Sequence, residues 1–261
     1  MSVLALDRVT FRYPASTVRA LVNCSLEVDA GEIVAVIGAT GAGASTLLLV
    51  AADLAPRVVG GELTGQVRCD GRAALLLPTP WTQVSGMAST VWDEVAFGPA
   101  NLGWPRERIA TSVERALKRV DSGALRDRDP ATLSGGELQC VILAGVLAMD
   151  PAVLLLDEPT AELDPVGAER VWQVLRDLAH EGAGVVVATS DLDALPGCAD
   201  RVVWLSQGRV HRCGLAAELL ASPDLWEPDA PGSTAVAGVW HRAALPAPAP
   251  LTVRDVVARC R

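Results

Sequence analysis

Short, uninterrupted apolar runs alternate with amphipathic stretches along most of this chain. Residues 33–37, 153–156 and 185–188 are unbroken apolar runs, as is typical of parallel strands that are covered on both faces. Between the last two runs, residues 167–180 have the spacing of an amphipathic helix. This alternation predicts an α/β core in which helices connect buried parallel strands.

Other stretches add detail to the predicted core. Strand-like runs lie within residues 3–12 and 26–37, and Leu75-Leu76-Leu77 is a short apolar run that ends at Pro78. Residues 89–128 have helical patterning. We therefore expect one α/β domain over residues 1–226, with a mostly helical subdomain inserted at about 80–150, followed by a Pro- and Ala-rich extension at 227–261 that contains a short helix after Leu251.

A glycine-rich loop follows the first buried run. It reads Gly38, Ala39, Thr40, Gly41, Ala42, Gly43, Ala44, Ser45 and Thr46. Glycines at this spacing, between a strand and a helix, let backbone N–H groups surround phosphate oxygens. Ser45 stands where the pattern has a hydroxyl ligand of Mg²⁺, but Ala44 stands where it has the lysine that reaches the phosphates. The sequence thus predicts a phosphate-binding loop that lacks its fixed cation.

Composition narrows the range of functions. The formal net charge of -9 argues against a nucleic-acid-binding surface, which requires a basic face. The chain has neither an apolar run of about 20 residues nor a signal-peptide pattern, and its six cysteines form no Cys-x-x-Cys pair, so we expect reduced thiols in the cytosol. Lys118 is the only lysine among many arginines, so alanine at position 44 indicates a lost function rather than a compositional bias.

Further polar motifs follow in a fixed order. Residues 133–139 (LSGGELQ) place a serine and two glycines at the start of a helix, where N–H groups and the helix dipole favour an anion. Residues 154–160 (LLLDEPT) end a strand with Asp157, which suits Mg²⁺, and Glu158, which suits the orientation of an attacking water. The last two motifs are Ala161-Glu162-Leu163-Asp164 and Val187-Ala188-Thr189-Ser190-Asp191.

Taken in this order, the motifs resemble those of the ATP-binding subunits of ABC transporters, over about residues 3–225. Residues 84–87, 90–99, 101–103 and 250–254 further resemble the ATPase subunits of energy-coupling-factor importers, which take up vitamins and transition-metal ions. The resemblance implies a P-loop ABC-type nucleotide-binding domain that binds ATP and Mg²⁺. It also implies a head-to-tail pair, in which each ATP lies between the P-loop of one subunit and the signature motif of the other.

The resemblance assigns roles to individual residues. Tyr13 would stack on adenine, the alternative being simple packing, and Gly38 to Thr46 would wrap the phosphates. Ser45 and Asp157 would hold Mg²⁺, and Glu158 would be the general base. The signature residues Ser134, Gly135, Gly136 and Glu137 would face the γ-phosphate of the partner's ATP.

Three departures from the family pattern, Ala44, Pro78 and Ser190, fall in the chain's own site. Pro78 stands at the position of the Q-loop glutamine, although a shifted alignment gives that role to Gln83. Ser190 replaces the switch histidine, either silently or as a new catalytic group. Losing an ionic hydrogen bond to phosphate costs about 1.5–3 kcal/mol, which is roughly a 10- to 100-fold loss of affinity. We therefore expect this site to hydrolyse ATP poorly. The sequence leaves open whether the chain is itself an active ATPase.

The resemblance also implies partners and a location. The partners are a second ABC ATPase subunit with an intact P-loop, a transmembrane coupling subunit and a substrate-binding membrane subunit, at the cytoplasmic face of the cell membrane. Asp93 and Glu94 are expected to be a solvated helix start, the alternative being contact with the membrane subunit. The alternative function is a non-transport pseudoenzyme that acts as an ATP-sensing regulator or scaffold. An inactivated laboratory variant is a third interpretation, against which Pro78 and Ser190 argue.

Overall fold

The computed structural model of the chain describes residues 1–226, 231–232, 234–243, 245 and 248–259. These residues form two β-sheets and eight α-helices. The strands are β1 (Ser2–Arg12), β2 (Leu21–Asp29), β3 (Ile33–Ile37), β4 (Glu62–Cys69), β5 (Ala73–Leu76), β6 (Val153–Asp157), β7 (Gly184–Ala188), β8 (Arg201–Ser206) and β9 (Arg209–Leu215). The helices are α1 (Ala44–Ala51), α2 (Val91–Asn101), α3 (Arg106–Arg119), α4 (Gly135–Leu147), α5 (Pro165–His180), α6 (Ala216–Leu220), α7 (Ala235–Arg242) and α8 (Val253–Arg259).

The central sheet has six strands in the order β5-β6-β7-β3-β8-β9. All neighbours in it pair in parallel except β8 and β9, which are antiparallel. This arrangement confirms the predicted α/β core. Because the carboxyl ends of parallel strands lie at one edge of a sheet, the loops that follow β3, β6 and β7 come together there.

The apolar runs are unbroken because both faces of this sheet are covered. Alternate residues of one strand enter two different hydrophobic clusters. Leu154 and Leu156 belong to the cluster that includes α4 and α5. Val153 and Leu155 belong to the cluster that includes α1 and the smaller sheet. The smaller sheet is antiparallel, with the strand order β2-β1-β4.

Helices α2, α3 and α4 lie in sequence between β5 and β6, in the stretch where the pattern predicts a mostly helical subdomain. The expected solvated start of α2 is wrong for one of its two acidic residues. Asp93 is exposed and accepts a hydrogen bond from the Thr90 hydroxyl at 2.7 Å. Glu94 is only 7% exposed, and it accepts hydrogen bonds from the backbone N–H and the hydroxyl of Ser85 at 2.8 and 2.7 Å.

The C-terminal extension packs against the loop that follows β7. Asp193 accepts a hydrogen bond from the backbone N–H of Ala235, at the start of α7, at 2.7 Å. Thr234 and Ala237 are buried beside it. The predicted extension at 227–261 lies partly outside the described residues, and α8 lies within the part where the sequence predicts a short helix. No described helix combines the length and the apolar character needed to cross a bilayer.

Candidate functional site

The glycine-rich loop connects β3 to α1 at the carboxyl edge of the central sheet. Gly43 precedes α1 with a φ of 108°, in the left-handed region that favours glycine. A Cβ on Gly38 would lie 2.6 Å from the carbonyl oxygen of Leu205, so a larger residue does not fit there. The first turn of α1 has neither a side-chain cap nor an acidic residue. Its N–H groups therefore remain available for an anion.

This loop forms one wall of a cleft of about 360 Å³. We call it the P-loop cleft; it is lined by all residues from Gly38 to Thr46, together with Ala20, Val36, Pro78, Asp157, Glu158, Ala188, Thr189 and Ser190. Two of these residues are acidic, and in the described part of the chain none of the lining residues is a lysine or an arginine. Ala44 is the first residue of α1 and contributes only a methyl group. The cleft therefore has an acidic lining.

Ser45 and Asp157 both line the cleft, and their role as Mg²⁺ ligands stays a prediction. Asp157 ends β6, is 5% exposed and lies close enough to the Ser45 hydroxyl for that hydroxyl to affect its pKa. Burial raises the pKa of Asp157, the Ser45 hydroxyl lowers it, and the nearby charge of Glu158 raises it again. A carboxylate beside a hydroxyl is a suitable oxygen pair for Mg²⁺, which commonly takes one or two protein ligands and completes its shell with water and phosphate. The described residues contain no cluster of three or more His, Cys, Asp or Glu that could hold a metal on its own.

Glu158 follows Asp157 with a φ of 48°, an uncommon value for a residue other than glycine. Its carboxylate turns toward the end of β7. One oxygen accepts a hydrogen bond from the Thr189 hydroxyl at 3.1 Å, and the other accepts one from the backbone N–H of Ser190 at 2.8 Å. Glu158 therefore joins the ends of β6 and β7, and Ser190 contributes to this link through its backbone.

The segment after β5 separates Pro78 from Gln83. Pro78 lines the P-loop cleft. The Gln83 side chain instead caps the end of β5: its amide donates to the carbonyl of Leu75 at 2.9 Å, and its oxygen accepts from the N–H of Leu77 at 2.6 Å. Gln83 is not among the residues that line the cleft, so its position favours Pro78 as the counterpart of the Q-loop glutamine.

Tyr13 lies beside the last residue of the P-loop. Its hydroxyl is 3.1 Å from the hydroxyl of Thr46, and its ring packs edge-on against Phe11 with a centroid distance of 4.9 Å. The side chain is half-buried. Tyr13 thus packs beside the P-loop, and its stacking on adenine stays a prediction.

The signature turn, defined here as Ser134 to Glu137, begins α4. The Ser134 hydroxyl accepts a hydrogen bond from the N–H of Glu137 at 3.3 Å, and the Glu137 carboxylate accepts one from the N–H of Ser134 at 2.9 Å. This is a capping box. The backbone N–H of Ser134 is the largest contributor that lowers the pKa of Glu137, followed by the Ser134 hydroxyl, while the charge of Arg128 acts in the same direction.

Two contacts that sequence reasoning missed connect the signature helix to the loop after β6. The Gln139 amide, buried on α4, donates a hydrogen bond to the carbonyl of Pro159 at 3.0 Å. A Cβ on Gly136 would lie 3.3 Å from both the carbonyl oxygen of Glu162 and the Leu163 side chain. The sequence offers little signal for these contacts, because they depend on how two separate motifs pack. Together, the cleft and its strand-end carboxylates define a P-loop nucleotide-binding domain.

Comparison with known proteins identifies the family. Residues 21–161 match the family model described as ABC transporter. The chain is 40% identical over 229 residues to the cobalt import ATP-binding protein CbiO of Rhodobacter capsulatus, an alignment that covers 84% of this chain and 81% of that protein. This chain belongs to the ABC transporter family of ATP-binding proteins.

Two further comparisons match transporter proteins. It is 36% identical over 233 residues to the energy-coupling factor transporter ATP-binding protein EcfA2 of Methanospirillum hungatei, covering 85% of this chain. The chain spans 58% of the length of that relative and 37% of another curated relative. The structure of cbiO1 from Clostridium perfringens, described as part of the ABC transporter complex cbiONQ, superposes with a TM-score of 0.73 at 29% identity, covering 86% of this chain and 92% of that one.

Proposed function

We propose that this chain is the ATP-binding subunit of a heteromeric importer of the energy-coupling-factor type. Its own P-loop site binds nucleotide weakly and hydrolyses it poorly, and its signature turn completes an ATP site on a partner's P-loop. The observation that carries the proposal is the charge of the P-loop cleft, where Asp157 and Glu158 face no lysine or arginine among the described lining residues. The similarity to the CbiO and EcfA2 proteins supports the importer class.

The acidic lining of the P-loop cleft weakens nucleotide binding at the chain's own site. Two carboxylates repel a triphosphate, so attraction rests on the N–H groups of the loop and on Mg²⁺. Ser45 and Asp157 are the residues that would hold Mg²⁺, which when bound neutralises part of the phosphate charge. Because no lysine stabilises the charge that develops during phosphoryl transfer, we expect a loss of about 10²-fold or more in rate.

Glu158 has a structural task that does not require hydrolysis. Its two hydrogen bonds to Thr189 and Ser190 hold the ends of β6 and β7 together. A carboxylate has about four acceptor positions, so the bonds leave room for a water, but the missing lysine removes most of the benefit of activating one. We therefore infer that the main role of Glu158 is to hold the ends of β6 and β7 together, and that it contributes little to ATP hydrolysis.

The signature turn has backbone N–H groups with which it can bind a partner's ATP. The capping box satisfies the N–H groups of Ser134 and Glu137. Those of Gly135 and Gly136 have no acceptor among the described residues. These two N–H groups, at the positive end of α4, are donors for a γ-phosphate on the partner's P-loop.

The same proposal implies three partners at the cytoplasmic face of the membrane. The second ATPase subunit supplies an intact P-loop with its lysine. The transmembrane coupling subunit docks in the groove between α2 and α4, whose lining includes Phe97, Ile142 and Met149. An exposed apolar groove of this kind suits a helix from a partner. The third partner is a membrane subunit that binds the transported solute.

The test compares two variants of this chain in the assembled complex. Gly135→Leu blocks the signature turn; within 4 Å the added Cβ would meet only the carboxylate of Glu162, the mobile end of an exposed side chain. We expect it to lower the ATPase rate about 10²-fold or more. Glu158→Gln should lower the rate by less than about threefold, because its own site already lacks the charge that makes a base effective.

Steady-state phosphate release, with size-exclusion chromatography as the control for assembly, measures both variants. If Glu158→Gln abolishes turnover while Gly135→Leu retains it, the working site is the chain's own and the proposal is wrong.

A further inference from the structure

Glu162 lies against the signature turn of its own chain. Its backbone is held there at both sides: the carbonyl of Pro159 is bound by Gln139 on α4, and the Leu163 side chain lies 3.3 Å from the position of a Cβ on Gly136. The carbonyl oxygen of Glu162 itself is equally close to that position. Packing of the backbone, and not only a side-chain rotamer, therefore keeps Glu162 beside the turn.

The carboxylate of Glu162 reaches the face of the turn that is formed by Gly135. A Cβ on Gly135 would lie 3.1 Å from its Oε2 and 4.0 Å from its Cδ. The N–H groups of Gly135 and Gly136 have no acceptor among the described residues, and they lie at the positive end of a helix of 13 residues. A carboxylate at this end of a helix is electrostatically favoured.

The other charged groups of this region are already engaged. Glu137 on α4 is capped by Ser134 and paired with Arg128 at 3.0 Å. Asp164 accepts a hydrogen bond from the N–H of Gly167 and thereby caps α5. Glu162 is exposed, and its carboxylate has no ion pair or hydrogen bond with any residue that the structure describes. It therefore adds a negative charge, not balanced by a cation, at the point where a phosphate from a partner would approach.

We propose that Glu162 competes with the γ-phosphate of the partner's ATP for the signature turn, and so weakens nucleotide binding at the composite site. When the two subunits close on ATP, the carboxylate must leave the face of Gly135. The inference rests on the proposed function of the signature turn and adds a residue that sets its affinity for an anion.

The experiment measures the KM for MgATP of the assembled complex, at low salt, with wild-type chain or with Glu162→Gln. The variant should lower KM by about two- to fivefold, because an exposed charge at a helix N-terminus has an effect of that order. Glu218→Gln on α6 is the matched control, since Glu218 is also exposed and the change removes the same charge. At about 1 M salt the difference should collapse, because screening then acts over about 3 Å.

The outcomes separate this inference from the proposed function. An unchanged KM, or the same decrease in Glu218→Gln, overturns the competition. A raised KM also overturns it, since the carboxylate would then assist binding. If Gly135→Leu abolishes turnover while Glu162→Gln leaves KM unchanged, the signature turn works as proposed and only the role of Glu162 fails. If Gly135→Leu retains turnover, the proposed function itself fails.

Discussion

Ala44 leaves the carboxylates of Asp157 and Glu158 without a cation in the P-loop cleft, at least among the residues described. Ala44→Lys should therefore tighten MgATP binding to the isolated chain by about 10- to 100-fold, the effect expected of a charged hydrogen bond to phosphate worth about 1.5–3 kcal/mol. Titration calorimetry measures the affinity. Ala44→Gln is the control, because it has a polar side chain without the charge, and equal affinities of the Lys and Gln variants would mean that charge is not what limits binding.

The buried charge of Asp157 destabilises the fold of the protein without bound nucleotide. Burial is the main reason that its pKa is raised, with a smaller contribution from Glu158. A carboxyl whose folded pKa lies above its unfolded pKa contributes stability that is complete below the unfolded pKa and is lost as pH rises through the folded pKa. At neutral pH the charged form of Asp157 therefore lowers the free energy of unfolding.

Asp157→Asn should remove this penalty. We expect the melting temperature of the nucleotide-free chain to rise at neutral pH by about 2–4 °C, which corresponds to about 1 kcal/mol in a chain of this size. The gain should shrink as pH falls and the wild-type carboxyl takes up its proton. Calorimetric scans over this pH range measure it, with exposed Asp127→Asn as the control; a gain that is independent of pH would contradict the assignment to burial of the charge.

At the scale of elements, the sequence predicted three strands that are buried on both faces and missed a fourth, β8, in which Val202 to Leu205 are also buried. β3, β6 and β7 are fully buried and appear as unbroken apolar runs. β4 and β9 were not predicted, because most of their residues are exposed or half-buried. Their pairing with β1 and β8 depends on backbone hydrogen bonds to distant parts of the chain, which a local hydrophobic pattern does not record.

The start of α2 gives a prediction at this scale. Glu94→Gln should lower the free energy of unfolding by about 1–3 kcal/mol, because the buried carboxylate accepts two hydrogen bonds from Ser85. Asp93→Asn removes the same charge from an exposed position and should change it by less than about 0.5 kcal/mol. Denaturant unfolding compares the two variants. Equal effects would restore the prediction from sequence that both residues are solvated.

At the scale of the whole molecule, the order of the motifs predicted which residues meet. Asp157 ends β6, Ser190 follows β7, and Ser45 comes after the loop that follows β3, so the sheet brings the three residues to a common edge. The contact of Glu162 with the signature turn was not predictable in this way. It arises from the packing of two loops, and loop packing depends on side chains that are far apart in the sequence.

The alternation of residues along the central strands has a consequence for how the chain unfolds. Leu154 and Leu156 support one hydrophobic cluster, while Val153 and Leu155 support the other. The two clusters thus lie on opposite faces of β6, and each is formed by different side chains of this one strand. Because both clusters are built on the same strands, we expect them to unfold together rather than one after the other. The stability of the P-loop cleft at the edge of this sheet therefore depends on both clusters, and we expect a mutation that destabilises either cluster to disrupt the cleft.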